Sequence, residues 1–277
     1  MIIRQRLMAL LVLLGLGMTP ADGRADVTEP MDLHLVMSMA GVKAGSLRLS
    51  ISPKGEQIES SLRMKSSGLF KLVTGYKSRA EALSSLGSNG VGPMPMSYDA
   101  IYETRKTERK VLIRYDAADG QITDLQSWKR GKPRKSNVPE TLRSETVDPL
   151  TAVLQLRHWI VDGVEAHADG RVFEIYDGRR RYRLVAELLD RRSVKLGGQE
   201  RPALRFKVQM ETLAGFSKND MLADWASGNG GNWIELIVTD GDNPLPISLT
   251  TIGGTLETRV YLKKVCYGDR GCQKLQS

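Results

Sequence analysis

The stretch 31–51, MDLHLVMSMAGVKAGSLRLSI, decides the fold. Its large apolar residues fall at every second position on both sides of the bend Ala40–Gly45 (AGVKAG). Because successive side chains of a strand point to opposite faces, this alternation predicts two strands that each have one apolar and one polar face. The stretch therefore predicts a β-hairpin that opens the folded domain.

The same period of two returns along the rest of the chain. Apolar and charged residues alternate over 204–211 and 256–263, and turn signals such as Asp119-Gly120, Asp177-Gly178 and Asp240-Gly241 separate other short apolar runs. Further strands are predicted near 57–65, 76–84, 97–106, 109–115, 121–128, 171–176, 181–189, 233–239 and 245–251. We expect a mostly β protein of about twelve strands in a long antiparallel sheet.

Two segments break this period. Asp148–Val161 (DPLTAVLQLRHWIV) predicts a helix, with Asp148 as N-cap, Pro149 in the first turn, and a face formed by Leu150, Val153, Leu154, Ile160 and Val161. Residues 67–76 predict a short helix or a covering loop. One amphipathic helix among many strands favours a sheet curled around it as an open barrel or spiral. The alternative is two β halves, 27–145 and 165–277, that the helix connects.

The N-terminus has the pattern of a secretory signal peptide. Arg4 and Arg6 precede the apolar run Leu7–Met18, and small residues surround a cleavage position after Ala25. As a helix, this run would rise only about 18 Å, too short for the roughly 30 Å of a bilayer core. We expect a signal peptide over 1–25, a single β domain over 26–277 with no transmembrane segment, and a periplasmic location.

Both cysteines lie near the C-terminus, in the stretch VCYGDRGC. Cys266 and Cys272 flank a bend that contains two glycines, and an exported chain meets an oxidising compartment. We therefore predict a disulfide between them. A redox pair and half of a metal site are the alternatives, but the spacing is not C-x-x-C, and two thiols do not complete a tetrahedral zinc shell.

Arg157 lies within the predicted apolar face of the helix. A buried guanidinium must be paired or must reach an opening. The first interpretation is a buried salt bridge, with Asp240 and Asp242 as candidate partners. The second is a ligand-binding cation at a groove, facing the anionic head group of an amphiphile. An error in the helical phase is the third.

Four motifs resemble an uncharacterised family of exported proteobacterial proteins, the domain of unknown function 3108. These are the helix DPLTAVLQLR, the bend AGVKAG, the approach Pro95–Tyr98 to a strand, and the late segment WIELIVTDGDNPLPISL. Such proteins are similar in outline to envelope proteins with a curled sheet around a helix, including lipoprotein carriers and envelope-integrity factors. The glycine-rich stretch Trp225–Trp233 departs from the family pattern. The resemblance implies a fold and a cellular place but no reaction.

Catalytic and metal-binding motifs are missing from the sequence. His34, His158 and His167 have no metal-ligand spacing, no serine lies in a G-x-S-x-G motif, and the acidic run from Asp240 lacks the glutamate that a calcium loop requires. We expect no enzyme activity, cofactor or metal. The basic segments Lys129–Lys135 and Arg179–Arg183 are either solvated turns or binding sites for lipopolysaccharide, anionic lipid or acidic polymer. Export separates the chain from nucleic acid.

These observations favour a soluble, non-enzymatic periplasmic protein that binds an amphiphile or an envelope protein in a curled sheet and helps to maintain the cell envelope. Two other hypotheses stay open. One is a structural or protein-interaction domain whose interior is filled by its own side chains. The other is a hydrolase that acts on an envelope polymer.

Overall fold

The computed structural model describes residues 29–87, 92–164, 170–218, 220–227, 232–253 and 257–275. Within these ranges it has fifteen strands and three α-helices. The strands are β1 (Met31–Met39), β2 (Val42–Lys54), β3 (Gln57–Ser66), β4 (Lys77–Ser85), β5 (Met94–Glu103), β6 (Glu108–Tyr115), β7 (Ile122–Lys129), β8 (Lys132–Pro133), β9 (Arg171–Tyr176), β10 (Arg181–Leu196), β11 (Gln199–Ala214), β12 (Trp233–Thr239), β13 (Pro246–Ile252), β14 (Thr258–Tyr267) and β15 (Gly271–Lys274). The helices are α1 (Gly68–Thr74), α2 (Pro149–Gly163) and α3 (Met221–Ala226).

All strands belong to one sheet, in the order β8-β7-β6-β5-β4-β3-β2-β1-β14-β13-β12-β11-β10-β9, with β15 beside β14. The named strands pair antiparallel. The predicted hairpin is confirmed, because Met31 pairs with Ile51 and Leu35 with Leu47. The pairing of β1 with β14 places the first and second parts of the chain in one sheet. The alternative interpretation had instead placed them in two separate β halves. The sheet is curled but does not close into a barrel.

The sheet curls around α2. Residues of α2 contribute to three separate hydrophobic clusters, through Leu150 in one, Leu154 in another, and Ala152 with Trp159 and Ile160 in the third. The predicted single apolar face is therefore incomplete. Val153 is 40% exposed, whereas Ala152 and Trp159, outside the predicted face, are buried. A helix that a curved sheet surrounds buries more than one face, so its sequence does not show one apolar stripe.

The helix begins as predicted at Asp148. Its carboxylate accepts hydrogen bonds from the backbone N–H of Leu150 at 2.9 Å and of Thr151 at 3.0 Å, and from the Thr151 hydroxyl at 2.5 Å. The side chain is fully buried. Burial raises the pKa of Asp148 to about 6, against the opposing effect of the hydrogen bonds from Thr151 and Leu150.

The two edges of the sheet, at β8 and β9, approach each other along a seam. Residues 134–148 cross from one edge to the other. The Arg134 N–H donates to Ser127 of β7, and the Val147 N–H donates to Glu174 of β9. The turn between β9 and β10 also crosses the seam and packs onto β6. A Cβ atom added to Gly178 in that turn would lie 2.1 Å from Cγ1 of Val111. Only a glycine permits this approach, because its φ of +84° also lies in the left-handed region.

The strands are more numerous than the predicted twelve or so, since β8 and β15 are short and show no alternation. Cys272 of β15 pairs with Cys266 of β14, and the two form the predicted disulfide. The predicted signal peptide lies outside the described residues. Among the described residues, no helix has both the length and the apolar character needed to cross a bilayer.

Candidate functional site

A cavity of about 530 Å³ lies at the seam. Five parts of the chain form it: the residue that precedes β4, the ends of β5, β6 and β7 with the β5–β6 turn, the beginning of the segment 134–148, the β9–β10 turn, and the residues after β11. We call this cavity the seam pocket. It is lined by Tyr76, Tyr102, Thr104, Thr107, Arg109, Val111, Ser127, Trp128, Lys129, Arg134, Lys135, Ser136, Asn137, Asp177, Gly178, Arg179, Arg180, Gly215 and Ser217.

The alternation of β6 points Arg109 into the seam pocket. Val111, Ile113 and Tyr115 are buried on the inner face of this strand, and Arg109 is the next residue in the same series. Its neighbour Lys110 is exposed on the outer face, where its ammonium group lies 5.4 Å from the centre of the Trp128 ring. One strand thus holds two adjacent cations on opposite faces of the sheet.

Arg109 and Lys129 are directly opposite each other across the β6–β7 pair. Like charges in this position destabilise a sheet unless an anion lies between them. Among the described residues, neither side chain forms an ion pair with a carboxylate, and the same holds for Arg134 and Lys135. Four cations without a carboxylate partner therefore surround one cavity.

Two further cations, Arg179 and Arg180, are held in place by Asp220, the N-cap of α3. Both Arg180 Nε and Nη2 lie 2.8 Å from carboxylate oxygens of Asp220, and Arg179 also donates to Asp220. Burial alone would raise the pKa of Asp220, but the hydrogen bond from Arg180 and the charges of both arginines outweigh it and lower the pKa. The two guanidinium groups are thus fixed beside the cavity.

The β9–β10 turn is organised around Asp177. Its carboxylate accepts hydrogen bonds from the backbone N–H of Arg179 at 2.9 Å and of Arg180 at 2.6 Å. Burial raises the pKa of Asp177, and these hydrogen bonds act against the shift. The pKa of Arg179 is lowered, first by burial and then by the nearby charges of Arg180 and Arg109. The charges of Asp220 and Asp177 oppose this lowering of the Arg179 pKa.

The inner wall of the pocket is aromatic and apolar. Tyr76 and Tyr102 line it together with Val111. The hydroxyl groups of Tyr102 and Tyr98 are hydrogen-bonded at 2.7 Å, and burial raises the pKa of Tyr102 well above its usual value. Burial also raises the pKa of Tyr98, so the hydrogen-bonded pair Tyr98 and Tyr102 is neutral at physiological pH. The pocket combines an aromatic wall with a cationic rim.

The structure brings together parts of the two basic segments singled out in the sequence. Lys129, Arg134 and Lys135 come from one, and Arg179 and Arg180 from the other. Arg181 and Arg183 of the second segment instead pair with Glu174. Sequence reasoning missed Arg109, Tyr76 and Tyr102. A charged residue in phase with the buried series of β6 was the available signal for Arg109.

Arg157 lies elsewhere, on the later turns of α2. Its Nη1 donates to the carbonyl oxygen of Pro244 at 2.8 Å, and its Nη2 donates to the side-chain oxygen of Asn243. Its Nε–H is buried without a hydrogen-bond partner in the described part of the chain. Both acceptors are neutral, whereas the predicted partners were carboxylates. One of those predicted partners, Asp240, pairs with Arg191 instead. That Arg157 binds a ligand stays a prediction.

Other candidate residues give no second site. Across the described ranges, no three histidine, cysteine or acidic side chains are close enough to hold a metal ion. Nε2 of His158 lies 3.0 Å from Oδ2 of Asp162 on the same helix. His34 is on β1, and His167 lies outside the described residues. Cys266 and Cys272 are joined across the β14–β15 pair.

Comparison with known proteins agrees with this fold. A β-barrel-like protein of the domain of unknown function DUF1849 from Brucella abortus is similar, with a TM-score of 0.52 at 9% identity, over 87% of this chain and 99% of that chain. A "putative lipoprotein" from Parabacteroides distasonis has a TM-score of 0.30 at 9% identity, over 86% of this chain and 95% of that chain. At this identity the DUF1849 likeness concerns the fold alone. No protein with a curated description matches the sequence.

The sequence profile described as "Protein of unknown function (DUF3108)" matches residues 34–247. This range contains the hairpin bend, most of the sheet, α2, and every residue that lines the seam pocket. The match confirms the resemblance seen in the sequence motifs. The chain belongs to the family of proteins of unknown function DUF3108.

Proposed function

We propose that this protein is an exported, non-enzymatic binding protein of the cell envelope that holds an anionic amphiphile in the seam pocket. The observation that carries the proposal is the pair Arg109 and Lys129, two cations directly opposite each other on the inner face of the sheet without a carboxylate partner among the described residues. An anionic head group between them would replace a repulsion with two charge-assisted hydrogen bonds.

The rest of the pocket supports the same class of ligand. Its volume of about 530 Å³ lies within the usual range of small-molecule sites. Arg179 and Arg180 are oriented by Asp220, which lowers the entropy cost of binding an anion. Tyr76, Tyr102 and Val111 offer an apolar surface beside the charges, as the tail of an amphiphile requires. Export is supported by the basic and apolar pattern of residues 1–25.

Binding to three probes tests the proposal: decyl phosphate, decyl maltoside below its micellar concentration, and inorganic phosphate. We expect decyl phosphate to bind more tightly than decyl maltoside, which has the same tail and a neutral head. We expect inorganic phosphate to bind more weakly than decyl phosphate, because it lacks the tail. Isothermal titration calorimetry measures all three. Equal affinity for the two detergents, or no binding of decyl phosphate, would overturn the proposal.

A matched pair of variants assigns the binding to the pocket. Arg109→Gln removes an inward cation, and Lys110→Gln removes the adjacent outward cation of the same strand. Loss of one charge-assisted hydrogen bond should weaken decyl phosphate binding about tenfold in Arg109→Gln. Lys110→Gln should bind as the unchanged protein does. An equal effect of both variants would point to a general effect of net charge.

The two other hypotheses predict different results. A β domain with a filled interior should bind none of the three probes. A hydrolase should convert an envelope polymer, and its activity should not depend on the head group of a detergent.

A further inference from the structure

The hairpin turns of β1 to β8 alternate between two ends of the sheet. Because these strands follow one another antiparallel in the order of the chain, every second turn lies at the same end. The segments 40–43, 65–77, 103–108 and 129–135 share one end, which we call the α1 end. The described segments 54–57, 86–87, 92–93 and 115–122 share the opposite end.

The helix α1 gives the α1 end an exposed apolar surface. None of its described residues is buried, and Leu69, Leu72 and Val73 are 70%, 61% and 78% exposed. Val42, at the neighbouring β1–β2 turn, is 53% exposed. Large apolar side chains gathered on one projecting element, rather than scattered singly, are typical of an interaction surface.

The backbone holds α1 in this exposed position. The Ser67 N–H donates to Ala44 of β2, and the Arg105 N–H of the β5–β6 turn donates to Thr74 at the end of α1. Gly75 ends the helix in the left-handed conformation, and its N–H donates to Lys71. The apolar side chains are thus presented by a hydrogen-bonded element that connects two hairpins.

Charge separates the two ends. The four segments of the α1 end contain eleven lysines and arginines and two glutamates, and one of these, Glu103, pairs with Lys77. At the opposite end, 54–57 and 115–122 contain one lysine and three acidic residues, and 86–87 and 92–93 contain no charged residue. An apolar cluster at an end of the sheet that is rich in lysines and arginines is complementary to a bilayer that contains anionic lipid.

We propose that the α1 end docks on the surface of a membrane that contains anionic lipids. Leu69, Leu72 and Val73 enter the head-group region, and the surrounding lysines and arginines contact lipid phosphates. The seam pocket shares residues with this end, since Tyr76, Thr104 and Arg134 line it. Docking would therefore bring the seam pocket close to the bilayer. This orientation of the pocket rests on the proposed function.

Sedimentation with vesicles tests the docking. The probes are vesicles of equimolar phosphatidylglycerol and phosphatidylcholine, and vesicles of phosphatidylcholine alone. We expect the unchanged protein to bind the mixed vesicles at least about tenfold more tightly. The variant Leu69→Ser/Leu72→Ser should lose about tenfold or more of this affinity. The matched control Leu189→Ser/Leu213→Ser, with two exposed leucines on β10 and β11, should retain it.

Two further measurements separate the possible failures. A second variant, Lys71→Glu/Lys106→Glu, should lose binding to the mixed vesicles and keep the thermal stability of the unchanged protein. Calorimetry with decyl phosphate should give the same affinity for all these variants, so failure of docking and failure of pocket binding are distinguishable. Absence of vesicle binding would overturn the docking proposal. So would self-association that Leu69→Ser/Leu72→Ser abolishes, because it would assign this surface to a second copy of the chain.

Discussion

The seam pocket and the surroundings of Arg157 place arginines in two different environments. Arg157 donates to neutral oxygens of Asn243 and Pro244, and burial lowers its pKa. In the seam pocket, six lysines and arginines line one cavity with Asp177, and Asp220 neutralises part of their charge. A single inward arginine can thus be accommodated by backbone and amide acceptors. A group of inward cations retains mutual repulsion, which a bound anion would relieve.

Gly178→Ala tests whether the seam depends on the close approach of the β9–β10 turn to β6. The new Cβ would overlap with Val111, and the residue would keep a φ of +84°. We expect a loss of about 4 kcal/mol in unfolding free energy from the overlap and the left-handed backbone together. Gly131→Ala is the control, since its φ is +70° but no atom lies within 4 Å of the added Cβ. Urea denaturation measures both, and equal losses would refute the tight contact.

Asp148 makes the stability of the fold around α2 depend on pH. Its pKa rises from 3.8 to about 6 on folding, so the folded state binds the proton more tightly than the unfolded state does. The resulting contribution of about 3 kcal/mol is present below pH 4 and is lost as pH rises through 6. Asp148→Asn keeps an N-cap acceptor and should remove this dependence. Unfolding free energies at several pH values test it, and identical slopes for variant and unchanged protein would contradict it.

Replacement of Arg157 tests whether its role is structural. Arg157→Ala removes two hydrogen bonds and leaves the Pro244 carbonyl without this donor, so we expect a loss of about 2 kcal/mol in unfolding free energy. Arg157→Met retains much of the apolar contact of the side chain and should lose less. Thermal melts compare the two. Unchanged stability in both variants would instead favour the prediction that Arg157 faces a ligand.

The fold was largely predictable because its signals are local. Alternation gave the hairpin around Ala40–Gly45, and Asp148 with Pro149 gave the start of α2. The exposure of Val153 was not predictable, since it depends on how the sheet curls around the helix. The site depends on pairing between distant strands. Arg109 lies opposite Lys129 because of the register of β6 and β7, and Gly178 contacts Val111 because the two edges of the sheet approach each other. Neither contact can be predicted from the residues around one position of the sequence.

We propose that the anionic head group binds in the seam pocket and not at Arg157 on α2. Calorimetric titration of decyl phosphate into Arg109→Gln and Arg157→Met tests it most directly, because each variant removes one cation. We expect binding about tenfold weaker in Arg109→Gln and unchanged in Arg157→Met. Unchanged binding in Arg109→Gln together with weakened binding in Arg157→Met would contradict it and assign the ligand to α2.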